Sequence, residues 1–250
     1  VLILELIEKE KIRSSLFVPA VILFLVSIPQ AAETDFSSLK FVLYGASPIA
    51  DDTILKAKEI MKCDLFQVYG LTETAGAITI LMPEDHDPEK GKLRSCGKAL
   101  NSVEIKVVDD EGNEVKTGDI GEVISKSPLN MKGYWNRPDA TEEAIKDGWF
   151  YSGDAGFFDD EGYLYIHDRV KDMIVSGGEN IYPAEVENAL MSHPEIADAA
   201  VIGVPDDKWG ESVKGFVVLQ PDSNLDETEI ISYSRTQIAG YKCPKTINFI

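Results

Sequence analysis

The sequence predicts α/β architecture at its start and α+β architecture at its end, with a β-rich block between them. Three observations carry that reading. Residues 1–90 alternate apolar runs with amphipathic stretches, residues 96–168 break into short runs of alternating hydrophobicity, and past Arg169 helical and strand patterns interleave again. With 250 residues, 44% of them hydrophobic and 27% charged, the chain can bury a sizeable core without disulfide or metal staples. The expected organisation is a large domain over 1–168, divided into an α/β part (1–95) and a small β-barrel or sandwich (96–168). A hinge at 169–171 and a smaller domain over 172–250 follow.

The first stretch, VLILELIEKE, is acidic and amphipathic. Lys9 to Arg13 is basic-rich, Leu16 to Ile28 is apolar, and Pro29-Gln30-Ala31-Ala32 looks like a cleavage site, so the region imitates a secretory leader. The apolar run has 13 residues and contains Pro19, whereas a membrane span needs about 20. A buried element of a cytoplasmic protein without a transmembrane segment is the better reading. With Val and not Met at position 1, the chain is expected to begin in mid-fold.

Next, LKFVLYGAS reads as a buried strand ending at Gly45-Ala46-Ser47-Pro48. Asp51 to Met61 has helical spacing, with Ile54, Leu55, Ala57 and Ile60 on one side. CDLFQVYG is a second buried strand, followed by the polar loop LTET. Strand–helix–strand order implies a parallel layer, whose ligands sit beyond the carboxyl ends of the strands. Both GAS and LTET fall at such ends.

In the middle block, VEIKVVDDEGNEV and GFFDDEGYLYI share the turn Asp-Asp-Glu-Gly, at 109–112 and 159–162, and each reads as a β-hairpin. GEVISKS is another strand. Past Arg169, Pro183 suits the first turn of a helix running from about Ala184 to Met191. ADAAVIGV and ESVKGFVVL are strands. Asp226 caps a helix that extends through Ile238, with Glu229 completing a capping box.

The formal net charge of −19 argues against nucleic acid as a partner, because phosphate backbones reward Lys and Arg. It leaves room for a small anionic ligand held by backbone N–H groups. Cys63, Cys96 and Cys243 are far apart and odd in number, as expected of free thiols in a reducing compartment. His86, His167 and His193 are equally scattered, and each is read as structural or superficial. The nucleophile-elbow, dinucleotide-fingerprint and Walker A patterns are missing, which removes the hydrolase, Rossmann and P-loop readings.

Three clusters carry candidate chemistry. Tyr69-Gly70-Leu71-Thr72-Glu73-Thr74 puts an aromatic face, a glycine, a hydroxyl and a carboxylate at a strand end. Those groups suit a base, an α-phosphate and Mg²⁺; alternatively, Thr72 merely caps a following helix. Tyr151-Ser152-Gly153-Asp154 is followed fifteen residues later by Arg169. A carboxylate there can accept from both hydroxyls of a ribose, or can form an ordinary surface ion pair with the arginine. In Asp172 to Pro183, a strand breaks at Gly177-Gly178. Such a loop lets backbone lie along a thin ligand or another domain, or is simply a turn.

In this order and spacing the clusters resemble the adenylate-forming superfamily of acyl-CoA synthetases, luciferases and peptide-synthetase adenylation domains. YGLTET is similar to its Y-G-x-T-E motif, YSGD to its aromatic-x-[ST]-G-D motif, and HDRVKDMIVSGGENIYPAEVE to its domain-junction motif. GYWNRPDAT and VIGVPDDKWGE fit as well, so the resemblance runs through essentially the whole chain. The implied fold is a large domain ending in a β-barrel, then a mobile α+β domain. The resemblance implies that Tyr69 stacks on adenine near Gly45, Ala46 and Ser47, with Gly70 beside it. It also implies that Thr72 contacts the α-phosphate, Glu73 holds Mg²⁺–ATP, and Asp154 holds the ribose with help from Arg169. Lys171 takes the hinge position, and Gly177, Gly178 and Glu179 line the coenzyme A arm after domain rotation.

The implied reaction turns a carboxylic acid and ATP into an acyl-adenylate and pyrophosphate, then transfers the acyl group to coenzyme A. The apolar stretch Val18 to Ile28 and LMPEDH look like fatty-acyl members, with an aryl acid as the alternative substrate. The family's phosphate loop is expected before residue 1 and its C-terminal lysine after Ile250; Lys242 and Lys245 do not match that lysine's motif. The sequence is therefore expected to be a fragment, prone to self-association as a homo-oligomer, and a catalytically incomplete nucleotide-binding module is the competing reading.

Overall fold

A computed structural model of the chain describes residues 1–47 and 49–250. Pro48, at the end of the first expected strand, lies outside them. The chain forms two compact units: residues 1–152 with 156–166, and residues 153–155 with 167–250.

The first unit opens with α1 (Leu2–Lys9), which buries Leu4 and Ile7. The apolar run Leu16 to Ile28 is two elements, β1 (Ser14–Phe17) and α2 (Pro19–Ser27). Pro19 divides them because it can start a helix but not sit inside one. α2 buries Ile22, Leu25 and Val26 while Leu23 and Phe24 are exposed, so the run is buried on one face only.

β2 (Phe41–Gly45), α3 (Asp51–Met61) and β3 (Asp64–Leu71) form the expected strand–helix–strand unit, and β1, β2 and β3 pair in parallel. The buried stripe of α3 is Thr53, Ile54, Ala57 and Met61, with Leu55 exposed. Period 3.6 places Leu55 about a quarter-turn off the stripe, so it does not share the buried side expected for it with Ile54. The helix stops at Lys62, whose φ of 49° is left-handed. β4 (Gly76–Leu81) and β5 (Lys98–Ala99) then add antiparallel strands, completing a sheet in the order β1-β2-β3-β4-β5.

β6 (Glu104–Val108), β7 (Gly121–Lys126), α4 (Pro138–Ala144), β8 (Ile145–Lys146), β9 (Trp149–Phe158) and β10 (Leu164–Arg169) follow. Their strands form a sheet in the order β10-β9-β7-β6, with β8 on β9. Among the described residues this sheet is open, which corrects the expected barrel. Its end strands are engaged elsewhere. Leu164 on β10 exchanges backbone hydrogen bonds of 2.7 and 2.9 Å with Cys96 and Gly97, and Val107 on β6 accepts from Val115 at 3.0 Å. Edges covered in this way have no need to close on each other.

The two Asp-Asp-Glu-Gly turns fold alike. Asp109 Oδ1 accepts from the N–H groups of Glu111 and Asn113 at 3.0 and 2.8 Å. Asp159 Oδ1 accepts from those of Glu161 and Tyr163 at 3.0 and 2.9 Å. Each aspartate thus satisfies the turn backbone of its own hairpin.

The second unit contains β11 (Ile174–Ser176), β12 (Glu179–Ile181), α5 (Pro183–Met191), β13 (Ile196–Asp206), β14 (Gly210–Leu219), α6 (Glu227–Gln237) and β15 (Thr246–Phe249). The sheet order is β12-β11-β14-β13, with β15 parallel to β14. α5 and α6 pack Val186, Leu190 and Ile230 against Ile174, Val213, Val217 and Ile247. The capping box expected on α6 is present, Asp226 accepting from Glu229 N at 2.9 Å and Glu229 returning to Asp226 N at 3.0 Å. Among the described residues no helix is long and apolar enough to cross a membrane.

Candidate functional site

In the first unit the candidate residues gather where two parallel strands end. Register pairs Gly45 on β2 with Val68 on β3, one residue before Tyr69. A Cβ on Gly45 would stand 2.0 Å from the Val68 carbonyl oxygen, and one on Gly70 2.0 Å from that of Gly76. Both glycines are therefore fixed by the close approach of neighbouring backbone, in addition to any ligand. Ala46 follows with φ of 71°, a left-handed conformation that costs a non-glycine residue about 1–2 kcal/mol. Ala46 and Ser47 are exposed and Tyr69 is half-buried, packed against the Val107–Val123–Leu164 cluster.

The segment after β3 is a single 3-10 turn, Thr72–Thr74, leading into β4. The turn runs into β4 and not into a helix, so the alternative reading of Thr72 as a helix cap does not hold; Leu71 is the N-cap of the turn and Thr72 is exposed. The fastening falls to Thr74, whose buried hydroxyl accepts from Leu71 N at 2.9 Å and lies 2.7 Å from the Gly76 carbonyl. Glu73 is held from a distant part of the chain. Its backbone carbonyl accepts from Met131 N at 2.7 Å, and its Oε1 accepts from the Tyr134 hydroxyl at 2.9 Å. Tyr134 was missed as a site residue. It lies in the stretch GYWNRPDAT, but nothing local to that stretch shows which carboxylate it would meet.

Mg²⁺ suits a hard oxygen donor supplemented by phosphate and water. Glu73 offers that, since Tyr134 engages one of its two carboxylate oxygens. Among the described residues no group of three or more metal-ligating side chains forms. A one-carboxylate site completed by a phosphate is what such a surface fits.

In the second unit, Arg169 Nη1 lies 2.6 Å from Asp154 Oδ1. The Asp154 side chain is 7% exposed and that of Arg169 47%, so this is a buried carboxylate facing an accessible guanidinium. A surface ion pair would leave both partners wet. Gly153 precedes the aspartate with φ of 71°, a conformation natural only for glycine. Asp168 Oδ2 accepts from Ala184 N at 2.9 Å, satisfying an orphan donor in the first turn of α5 and placing negative charge at its positive end.

Lys171, exposed in a 3-10 turn, lines a cavity of about 370 Å³ with Asp168, Asp172, Glu187 and Glu211. Burial holds the Glu187 carboxyl above its ordinary range, despite its bond from Val201 N at 2.8 Å.

Gly177 and Gly178 are the two-residue turn of the β11–β12 hairpin, where Ser176 pairs with Glu179. Their φ values of 64° and 88° are those of a type I′ turn. Gly177 N donates to the Trp209 carbonyl at 2.8 Å, and a Cβ on Gly177 would lie 2.7 Å from the Trp209 ring. At Gly178 a Cβ would meet nothing within 4 Å, and Glu179 is exposed. The structure thus brings Gly45 to Ser47 together with Tyr69, and Asp154 together with Arg169. Gly177 to Glu179 form a separate hairpin tip, with Lys171 on a different turn.

Comparison with known proteins supplies the context. The family model for AMP-binding enzymes matches residues 1–135. That for the C-terminal domain of AMP-binding enzymes matches residues 185–250. The chain is 39% identical to the fatty acid–[acyl-carrier-protein] ligase ScoC of Streptomyces coeruleorubidus, covering 98% of this chain and 47% of that protein. It is 40% identical to the long-chain-fatty-acid–CoA ligase FadD13 of Mycobacterium tuberculosis, covering 98% and 47%. Among solved structures, o-succinylbenzoate CoA synthetase MenE from Bacillus subtilis, in complex with the acyl-adenylate intermediate OSB-AMP, superposes with a TM-score of 0.87 at 36% identity. The likeness covers 99% of this chain and 49% of that one. The chain spans about half the length of the curated relatives it matches.

Proposed function

Because this chain belongs to the family of AMP-binding enzymes, we propose that it carries the adenylate-holding part of an ATP-dependent ligase that activates a carboxylic acid and passes it to coenzyme A. The observation that supports this most is the buried Asp154 carboxylate fixed by Arg169 at 2.6 Å. A carboxylate so placed is desolvated and aimed, ready to accept from the two hydroxyls of a ribose. Each such charged hydrogen bond is worth about 1.5–3 kcal/mol.

In this reading Tyr69 stacks on the adenine beside Gly45, Ala46 and Ser47, and Gly70 keeps the strand end narrow. The Thr72 hydroxyl, exposed at the turn, donates to the α-phosphate. Glu73, held by Tyr134, would hold Mg²⁺, which would supply positive charge to offset that of the phosphates. The acid's carboxylate oxygen attacks the α-phosphorus in line, forming the acyl–phosphate bond and releasing pyrophosphate. The thiol of coenzyme A then attacks the acyl carbonyl, forming the thioester and expelling AMP. Gly177, Gly178 and Glu179 line the path of that thiol's arm, and Lys171 sits at the hinge between the two reaction geometries.

The acid is proposed to be a fatty acid, supported by the names of ScoC and FadD13. An aryl acid is the second reading, favoured by the likeness to an o-succinylbenzoate CoA synthetase. The protein is proposed to act in the cytoplasm.

Calorimetric titration of the 250-residue chain with non-hydrolysable dodecanoyl- and benzoyl-adenylate mimics tests this. Binding is expected for wild type and lost in Asp154→Ala, and the tighter mimic names the acid class. Equal binding by wild type and Asp154→Ala would remove the ribose assignment. In a protein active in both half-reactions, Gly178→Trp is expected to slow thioester formation and spare acyl-AMP formation. Equal loss of both would remove the coenzyme A assignment.

A further inference from the structure

His86 is fully enclosed, with 0% of its surface exposed, so it cannot touch a ligand. Its bonds nevertheless reach both sides of the strand-end loop. Nδ1 lies 2.8 Å from the Met82 carbonyl, which only accepts, so Nδ1 carries the proton. Burial keeps the imidazole neutral, so Nε2 is an acceptor and takes the Tyr44 hydroxyl at 2.9 Å. Tyr44 is itself fully buried and is the residue immediately before Gly45. On the other side, the His86 carbonyl accepts from Lys58 Nζ on α3, the helix that follows the loop.

Between these two anchors the backbone passes through Ala46 at φ 71°. A non-glycine residue persists there only where its surroundings over-determine it. The Tyr44 and His86 rings meet edge to face with centroids 5.7 Å apart, which fixes the tyrosine's tilt as well as its hydroxyl.

We propose that His86 is a positioning residue that acts through Tyr44 to hold Gly45–Ser47 in the shape that faces the nucleotide. This rests on the adenylate reading above for what the loop meets, but not for how the loop is held. The deciding experiment compares Tyr44→Phe, His86→Asn and His86→Gln in the full chain, by amide hydrogen exchange and by AMP titration. Glutamine can return an acceptor to the Nε2 position, whereas asparagine can replace only the Nδ1 donor.

Exchange at Ala46 and Ser47 is expected to rise about tenfold in Tyr44→Phe and His86→Asn, the effect of one hydrogen bond. It is expected to stay near wild type in His86→Gln, with β13 and β14 unchanged throughout. AMP affinity should fall in the same two variants and recover in His86→Gln. Unchanged exchange at Ala46 and Ser47, or a uniform rise across the first unit in all three variants, would overturn the proposal. A loosened loop with unchanged AMP affinity would overturn its link to the nucleotide. Wild-type chain that binds no AMP would count against the adenylate reading instead, while the exchange pattern still decides whether His86 holds the loop.

Discussion

Gly45 is the last residue of β2 and Gly70 the last but one of β3 in the first unit, and Gly177 and Gly178 form a hairpin tip in the second. The first two have no need of left-handed backbone; a Cβ on either would strike a carbonyl oxygen at 2.0 Å. The second two sit at φ of 64° and 88°, and around Gly178 there is open space. The first pair is dictated by how closely strands approach; in the second the turn's own dihedral angles act, alone at Gly178 and together with the Trp209 ring at Gly177. Close packing cannot yield by an ångström without moving a strand, whereas a strained dihedral costs a bounded amount.

That difference sets an order of effects. Gly45→Ala should cost the first unit at least about 3 kcal/mol, because backbone rather than a flexible side-chain end must move. Urea unfolding followed through Trp135 and Trp149, the tryptophans of that unit, measures it. A smaller loss than in Gly178→Ala would break the comparison.

Gly177→Ala combines both causes, a φ of 64° and a Trp209 ring carbon at 2.7 Å, and should cost about 2 kcal/mol. Its cost should shrink in a Trp209→Ala background, because the ring contact is then gone and only the dihedral remains. An undiminished cost in the double-mutant cycle would show that the ring contact is irrelevant. Gly178→Ala isolates the dihedral and should cost about 1 kcal/mol, read from the urea midpoint of the second unit.

The smallest effect is a pH dependence. Burial holds the imidazole of His86 below its ordinary range, with Lys58 adding to the effect, and the Met82 carbonyl, Asp85 and Glu84 opposing it. The unfolded chain then binds the proton more readily, so stability should fall as pH drops below about 6.5. The difference in melting temperature between wild type and His86→Gln should narrow over that range, and a pH-independent difference would show that His86 does not titrate on unfolding.

Legibility in the sequence follows the same division. Turns and caps written in local chemistry were readable: the two Asp-Asp-Glu-Gly hairpins, the Asp226–Glu229 capping box and the helix Asp51–Met61 appear where their residues place them. One local signal was overlooked. Asp147-Gly148, with φ of 53° and 80°, joins β8 to β9 as another tight hairpin, where Lys146 pairs with Trp149. Features set by distant chain were not readable. β4 depends on pairing with β3, the open sheet depends on Cys96 and Gly97 reaching Leu164, and Tyr134 meets Glu73 across 61 positions of sequence. Of the candidate site, the residue types at the strand ends were legible from pattern. The fastening of Thr74 and the enclosure of His86 came from tertiary placement that no periodicity encodes.

Glu73 is immobilised by the fold itself. Its carbonyl is tied to Met131 and its carboxylate to Tyr134, so the rotamer freedom of a long acidic side chain, about 1.5 kcal/mol, was surrendered when the chain folded. In the metal-holding role proposed for it, a cation approaching that carboxylate would meet an oxygen with fixed aim and a neighbour that already occupies one lone pair. Association there has less disorder to remove than it would at a free glutamate, and a competing ligand must match the direction that Tyr134 imposes.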